Sequence, residues 1–150
     1  MAQLKVVKDV DLGGPVFIQA TEAAGQSYKA GDMVIIAAGA ATILATNATL
    51  VSAIAQTDAT GVTSAVGTFQ LLKAGQLCEV ALSSVPTIAN QFVNYAVTVT
   101  SAGVNSINIS ETGHDFFVIT DFLTNQITGL LTTTARGYIL PACLSAVVGA

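Results

Sequence analysis

The chain has 150 residues, of which 52% are hydrophobic and only 9% charged, with five basic side chains against nine acidic ones. That length suits one domain with a real core. The only near pair of cations is Lys5 and Lys8, beside Asp9 and Asp11, and a net charge of -4 argues against a nucleic-acid partner, whose phosphates require clustered Lys and Arg.

Ordinary soluble domains carry roughly 25% charged residues. Thr, Ser, Asn and Gln wet part of so uncharged a surface, and the rest is expected to lie against other chains, because obligate interfaces are depleted in charge. Cys78 and Cys143 read as buried thiols. The opening MAQLKVVKDVDL holds no apolar core long enough for a signal peptide, which fits synthesis in a cytoplasm. Between Asp32 and Asp58 there is no charge, a length that spans a bilayer. Thr42, Thr46, Asn47, Thr49, Ser52 and Gln56 interrupt it and no cationic cluster flanks its far end, so no membrane is expected.

Residues 1–14 run up to Gly13-Gly14-Pro15 and read as an N-terminal arm, which leaves 15–150 as a single β domain. A strand is expected at 16–20 and a loop at 21–27. The turn Lys29-Ala30-Gly31-Asp32 then opens an apolar run at 33–36, a small-residue turn at 37–41 and a second run at 42–45. Residues 50–55 fit a strand or a short Ala-rich helix. A strand at 68–72 precedes Lys73-Ala74-Gly75-Gln76, a near repeat of the first turn, which launches 77–82. Pro86 makes 83–91 a loop, with room for one helical turn.

Residues 94–100 and 104–110 alternate around Ser101-Ala102-Gly103 as a hairpin, with its Thr, Asn and Ser face turned to water or a partner. The aromatic segment 116–122 is a strand whose Phe116, Phe117 and Phe122 belong to a core. Two more strands are expected at 126–134 and 137–142, the second ended by Pro141, and the charge-free tail is expected to dock. Short strands separated by turns give an all-β fold with little helix, a sandwich or barrel.

Chemistry is sparse. Glu111, His114 and Asp115 form one short loop around the chain's only histidine, without a second ligand cluster or a metal-binding spacing. No phosphate-binding glycine loop, nucleophile elbow or C-x-x-C pair occurs. Asp32, Asp58, Glu79 and Asp121 are scattered and read as turn caps or solvated strand positions, and Lys29 and Lys73 as exposed gatekeepers. No catalytic residue, cofactor or metal is expected.

Residues 28–82 resemble the decoration, or cement, proteins of tailed-bacteriophage capsids. The resemblance lies in the strand-opening Gly31-Asp32, the small-residue stretch 37–45, Gly61-Val62, and the alternating strand begun at Gly75. It implies a non-enzymatic β-barrel or β-tulip protein, a homotrimer on the virion surface that clamps neighbouring major capsid subunits. By that analogy Leu4, Lys5, Val6, Val7, Lys8, Val10 and Leu12 add a strand to a capsid sheet edge. The second half is longer than the resemblance accounts for, with an extra hairpin and aromatic strand at 94–122. The rival expectations are a phage tail or fibre component and a carbohydrate- or receptor-binding β-sandwich, the latter drawing on Tyr28, Tyr95 and Tyr138.

Overall fold

The computed structural model describes residues 4–8, 15–99, 105–112 and 115–144. Among them the fold is all-β. Its strands are β1 (Leu4–Lys8), β2 (Phe17–Glu22), β3 (Met33–Ala37), β4 (Ala40–Ile43), β5 (Ala53–Ala55), β6 (Val66–Leu71), β7 (Leu77–Ala81), β8 (Asn94–Val99), β9 (Asn105–Asn108), β10 (Phe117–Thr124) and β11 (Leu131–Ile139). Single 3-10 turns at Ile88–Asn90 and Pro141–Cys143 are the helical content of these residues. No helix among them is long and apolar enough to cross a membrane.

Strands β2-β4-β3-β5-β6 close into a five-stranded barrel, and the rest form a six-stranded sheet in the order β1-β7-β11-β10-β8-β9. A bridge between Leu82 and Ile107 curls the far edge of that sheet back toward β7. The barrel is thus inserted between β1 and β7, and segment 28–82 begins in the barrel and ends in the sheet.

So few strands enclose little volume. The barrel interior holds Ala20, Ala41, Ala53 and Ala55 around Val34, with Tyr28 and Phe69 packed edge to face at 5.7 Å. Both sides of β5 are buried, which explains why its Ala-rich sequence is equally compatible with helix. A larger core of Met33, Leu44, Val51, Ile54 and Leu72 from the barrel region packs on Val80, Tyr95, Ile107, Phe116, Phe117 and Ile119 of the sheet region.

The two similar turns are built alike. Lys29 N–H donates to Asp32 Oδ2 at 2.9 Å, and Lys73 N–H donates to Gln76 Oε1 at 2.8 Å. In each the third residue, Gly31 or Gly75, takes a left-handed φ. Between β3 and β4 the small-residue turn narrows to two residues, Ala38 (φ 50°) and Gly39 (φ 79°), and β4 begins at Ala40. Left-handed geometry at both positions is the type I′ hairpin, which prefers Asn where Ala38 stands. Ala38→Asn is therefore expected to raise unfolding stability by about 1 kcal/mol, read as a higher urea midpoint at unchanged slope.

Three sequence expectations are corrected. First, β2 continues through Thr21 and Glu22, the first two residues of the expected loop. Second, the strands expected at 126–134 and 137–142 are one strand, β11, running through Gly137, while 126–130 form the tip of the β10–β11 hairpin. Gly137 marks a close approach rather than a turn: a Cβ there would lie 1.9 Å from the Val118 carbonyl oxygen. Third, the polar face of the β8–β9 hairpin does not simply face water. Ser106 on that face is buried, and Asn105, on the opposite face with Ile107, is buried where Met33 N–H of the barrel donates to it.

Candidate docking surface

The docking of barrel on sheet is polar as well as apolar. Asn47 N–H donates to Val97 O (2.9 Å), Val99 N–H to Thr46 Oγ1 (2.9 Å) and Val51 N–H to Cys143 O (2.8 Å). At its centre Met33 N–H donates to Asn105 Oδ1. Asp32 lies beside it, 1% exposed, and burial raises its pKa while the Lys29 and Asn105 backbone amides pull it down. Asp32 Oδ1 and Asn105 Nδ2 find no partner among the described residues.

Other carboxylates hold loops. Glu22 accepts from Thr60 N–H (2.9 Å), Thr60 Oγ1 (2.7 Å) and Gly61 N–H (2.9 Å). The Thr60 backbone amide foremost holds its pKa below the ordinary value. Asp58 accepts from Ala30 N–H at 2.9 Å, which lowers its pKa, and pairs with Lys29 at 3.6 Å on the surface. Both cysteines are free and buried, and burial pushes the Cys78 thiol up to about 12. Glu22 and Asp58 thus hold backbone amides of neighbouring loops, and the two thiols lie buried.

Of the predicted contact residues, Leu4, Lys5, Val6, Val7 and Lys8 form β1, at the edge of the sheet and antiparallel to β7. Val10 and Leu12 lie outside the described residues. Leu4 is 1% exposed and belongs to the core, whereas Lys5 and Val7 are exposed and Val6 is half-buried. The alternation of Leu4 and Val6 with Lys5 was a signal for this inward face. Leu4 N–H donates away from β7, to Gly31 O at 3.0 Å. By strand parity Val6 N–H points the same way. That outer edge faces a cleft of about 380 Å³, with Leu4, Lys5 and Val6 on one wall and Ala30, Gly31, Ala55 and Gln56 among the others.

The solvent face of the same sheet carries most of its charge in one row. Lys5 stands opposite Glu79, Glu79 opposite Arg136, and Arg136 opposite Asp121, so signs alternate across four strands. Arg136 Nε approaches Glu79 Oε2 at 3.4 Å. Cross-strand pairs of this kind fix register more than they stabilise.

His114 lies outside the described residues; Asp115 is exposed, and its backbone oxygen accepts a hydrogen bond from Cys143 Sγ at 3.1 Å. Among the described residues no three His, Cys, Asp or Glu side chains are grouped to hold a metal ion. Tyr28 and Tyr95 are buried, so of the three tyrosines only Tyr138 reaches the surface. No family model matches the chain, and no curated protein matches it in sequence.

Proposed function

We propose that the chain is a virion structural protein, a capsid decoration protein that acts as a homotrimer and clamps neighbouring major capsid subunits on the outside of the head. One observation carries the structural side of this role: an edge strand, β1, turns toward an open cleft an outer side that is bonded to Gly31 at Leu4 and meets no further strand among the described residues. An extended segment of a shell subunit would add there as a further strand, with backbone hydrogen bonds supplying affinity and the cleft receiving alternate side chains. The resemblance of 28–82 to decoration proteins supports the same role, and a multivalent array needs only modest affinity at each contact. The closed barrel abolishes its own sheet edges, which leaves β1 and β9, and the Leu82–Ile107 bridge and the bond from Ser83 N–H to Ile107 O occupy part of the β9 edge.

Val6→Pro removes a donor from the outer edge of β1 while leaving the β7 side of the ladder intact. Its affinity for capsids stripped of their decoration is expected to fall roughly tenfold or more, with the melting temperature nearly unchanged. Wild-type protein that leaves stripped capsids bare would remove the decoration role and favour a tail or fibre component. Equal binding by wild type and variant would remove β1 as the contact.

A further inference from the structure

We infer that one end of the six-stranded sheet, formed by loop 83–92 and the β10–β11 tip, is a surface for self-association, and that its occupant is a second copy of this chain. This locates the multimeric part of the proposed function and rests on that part alone, not on capsid binding.

Strand directions place the two loops together. β7 and β10 finish at this end, and β8 and β11 begin there. Loop 83–92 is fastened on both flanks of the hairpin. Leu82 N–H donates to Thr133 O, and Phe92 N–H to Ile119 O at 2.7 Å. The barrel is hydrogen-bonded to the other end, at Val97, Val99, Asn105 and Cys143.

The surface so formed carries no charge, and large exposed hydrophobic side chains stand on it among exposed Ser, Thr, Asn and Gln. Val85, Ile88, Phe92, Ile127 and Leu130 are between 60% and 95% exposed. No Asp, Glu, Lys or Arg occurs between Glu79 and Glu111, or between Asp121 and Arg136. Summed, the five side chains expose on the order of 600 Å², the upper end of the largest apolar patch on an ordinary monomer and most of the roughly 800 Å² per partner of a stable interface.

Both loops are built before any partner arrives. Asn125 Oδ1 accepts from Ile127 N–H and Thr128 N–H, and Gly129 N–H donates to Asn125 O. In the other loop Asn90 Oδ1 accepts from Thr87 N–H, its amide donates to Tyr95 OH, and Gln91 Nε2 donates to Thr120 O. Polar groups are thus turned into their own loops and the hydrophobic side chains outward, so covering them costs little ordering and little polar desolvation. Phe92 is also held at φ 60°, an unfavourable backbone for a bulky residue, and yet it is 70% exposed. A charge-free patch repels no copy of itself, and its exposed apolar area is most of what a stable interface covers per partner, so a second copy is the occupant inferred.

Sedimentation equilibrium of the whole chain tests this. Wild type is expected to be oligomeric, and Ile127→Asp and Phe92→Asp to weaken association roughly thirtyfold or more, as burying an uncompensated charge at an interface centre does. Val62→Asp and Val66→Asp, exposed positions on the barrel, are expected to leave the mass unchanged. Phe92→Gly separates association from folding, because it should weaken association while melting no lower than wild type. A monomeric wild type at its highest soluble concentration, or an oligomer indifferent to both Asp variants, overturns the inference. If wild type is monomeric and Ile127→Asp instead abolishes binding to stripped capsids, the surface belongs to the shell and self-association is overturned. An oligomer lost in the Asp variants that ignores capsids keeps the surface and removes only the decoration role.

Discussion

Gly137→Ala is expected to cost about 3 kcal/mol or more in a urea titration, and to fail to accumulate as folded protein if the native margin is smaller. The added methyl would sit 1.9 Å from the Val118 carbonyl oxygen and 2.9 Å from Phe117 Cε1. Neither neighbour is a flexible side-chain end. Gly137 pairs with Ile119 on one side and Cys78 on the other, so the clash falls where β7, β11 and β10 are stitched together. Gly25→Ala provides the contrast: φ is +69° but no atom lies within 4 Å, so only backbone strain of about 1 kcal/mol is expected. A Gly137→Ala protein within that smaller cost of wild type would show that β10 and β11 do not approach as described.

Asn105→Ala is expected to destabilise by about 2–3 kcal/mol, because it leaves the buried Met33 N–H without an acceptor and opens a void between barrel and sheet. Hydrogen exchange at Met33 should accelerate alongside, and an unchanged rate there would mean that Asn105 does not join the two units. The neighbouring Asp32 gives this joint a pH dependence. Burial raises its pKa above the ordinary 3.8, so the folded state holds the proton more tightly than the unfolded chain. Its contribution to stability is full below 3.8 and is lost as pH rises through the folded value. Asp32→Asn does not titrate, so its stability relative to wild type should climb with pH across that window and then level. Glu22 and Asp58 have the opposite sign, since their pKa values are lowered and their contributions are lost as pH falls through the folded values. Subtracting the two proteins' profiles isolates Asp32. The twin turn shows that an amide serves in this position, with Gln76 accepting from Lys73 as Asp32 does from Lys29.

Local signals were legible where turn chemistry decides. The repeated Lys-Ala-Gly tetrapeptide marks two real and equivalent strand starts, and alternation marks β8 and β9. Signals failed where the deciding neighbour is distant in sequence. Gly137 looks like punctuation and is instead the point where another strand's carbonyl passes, 19 residues back in the chain at Val118. Asn105 looks like a solvated turn-flanking position, and it is buried against Met33 of the barrel. Ile127 looks like a strand interior and is the most exposed of the large hydrophobic residues described. Composition was ambiguous for a related reason. Part of the Ala content that suggested a partner-covered surface fills the narrow barrel instead. In the candidate site, the edge character of β1 required the sheet order, which no local pattern encodes, and the Leu4 side chain is buried in the core.

Because β1 pairs with β7, Leu4 meets Val80 only after everything between them has been synthesised and folded. Closing so long a loop is slow compared with forming the local hairpins of the barrel. Strand β1 is therefore expected to pair with β7 after the barrel hairpins have formed. A nascent chain carries its leading strand unpaired until then, and molecules caught at that stage expose both edges of β1 instead of one.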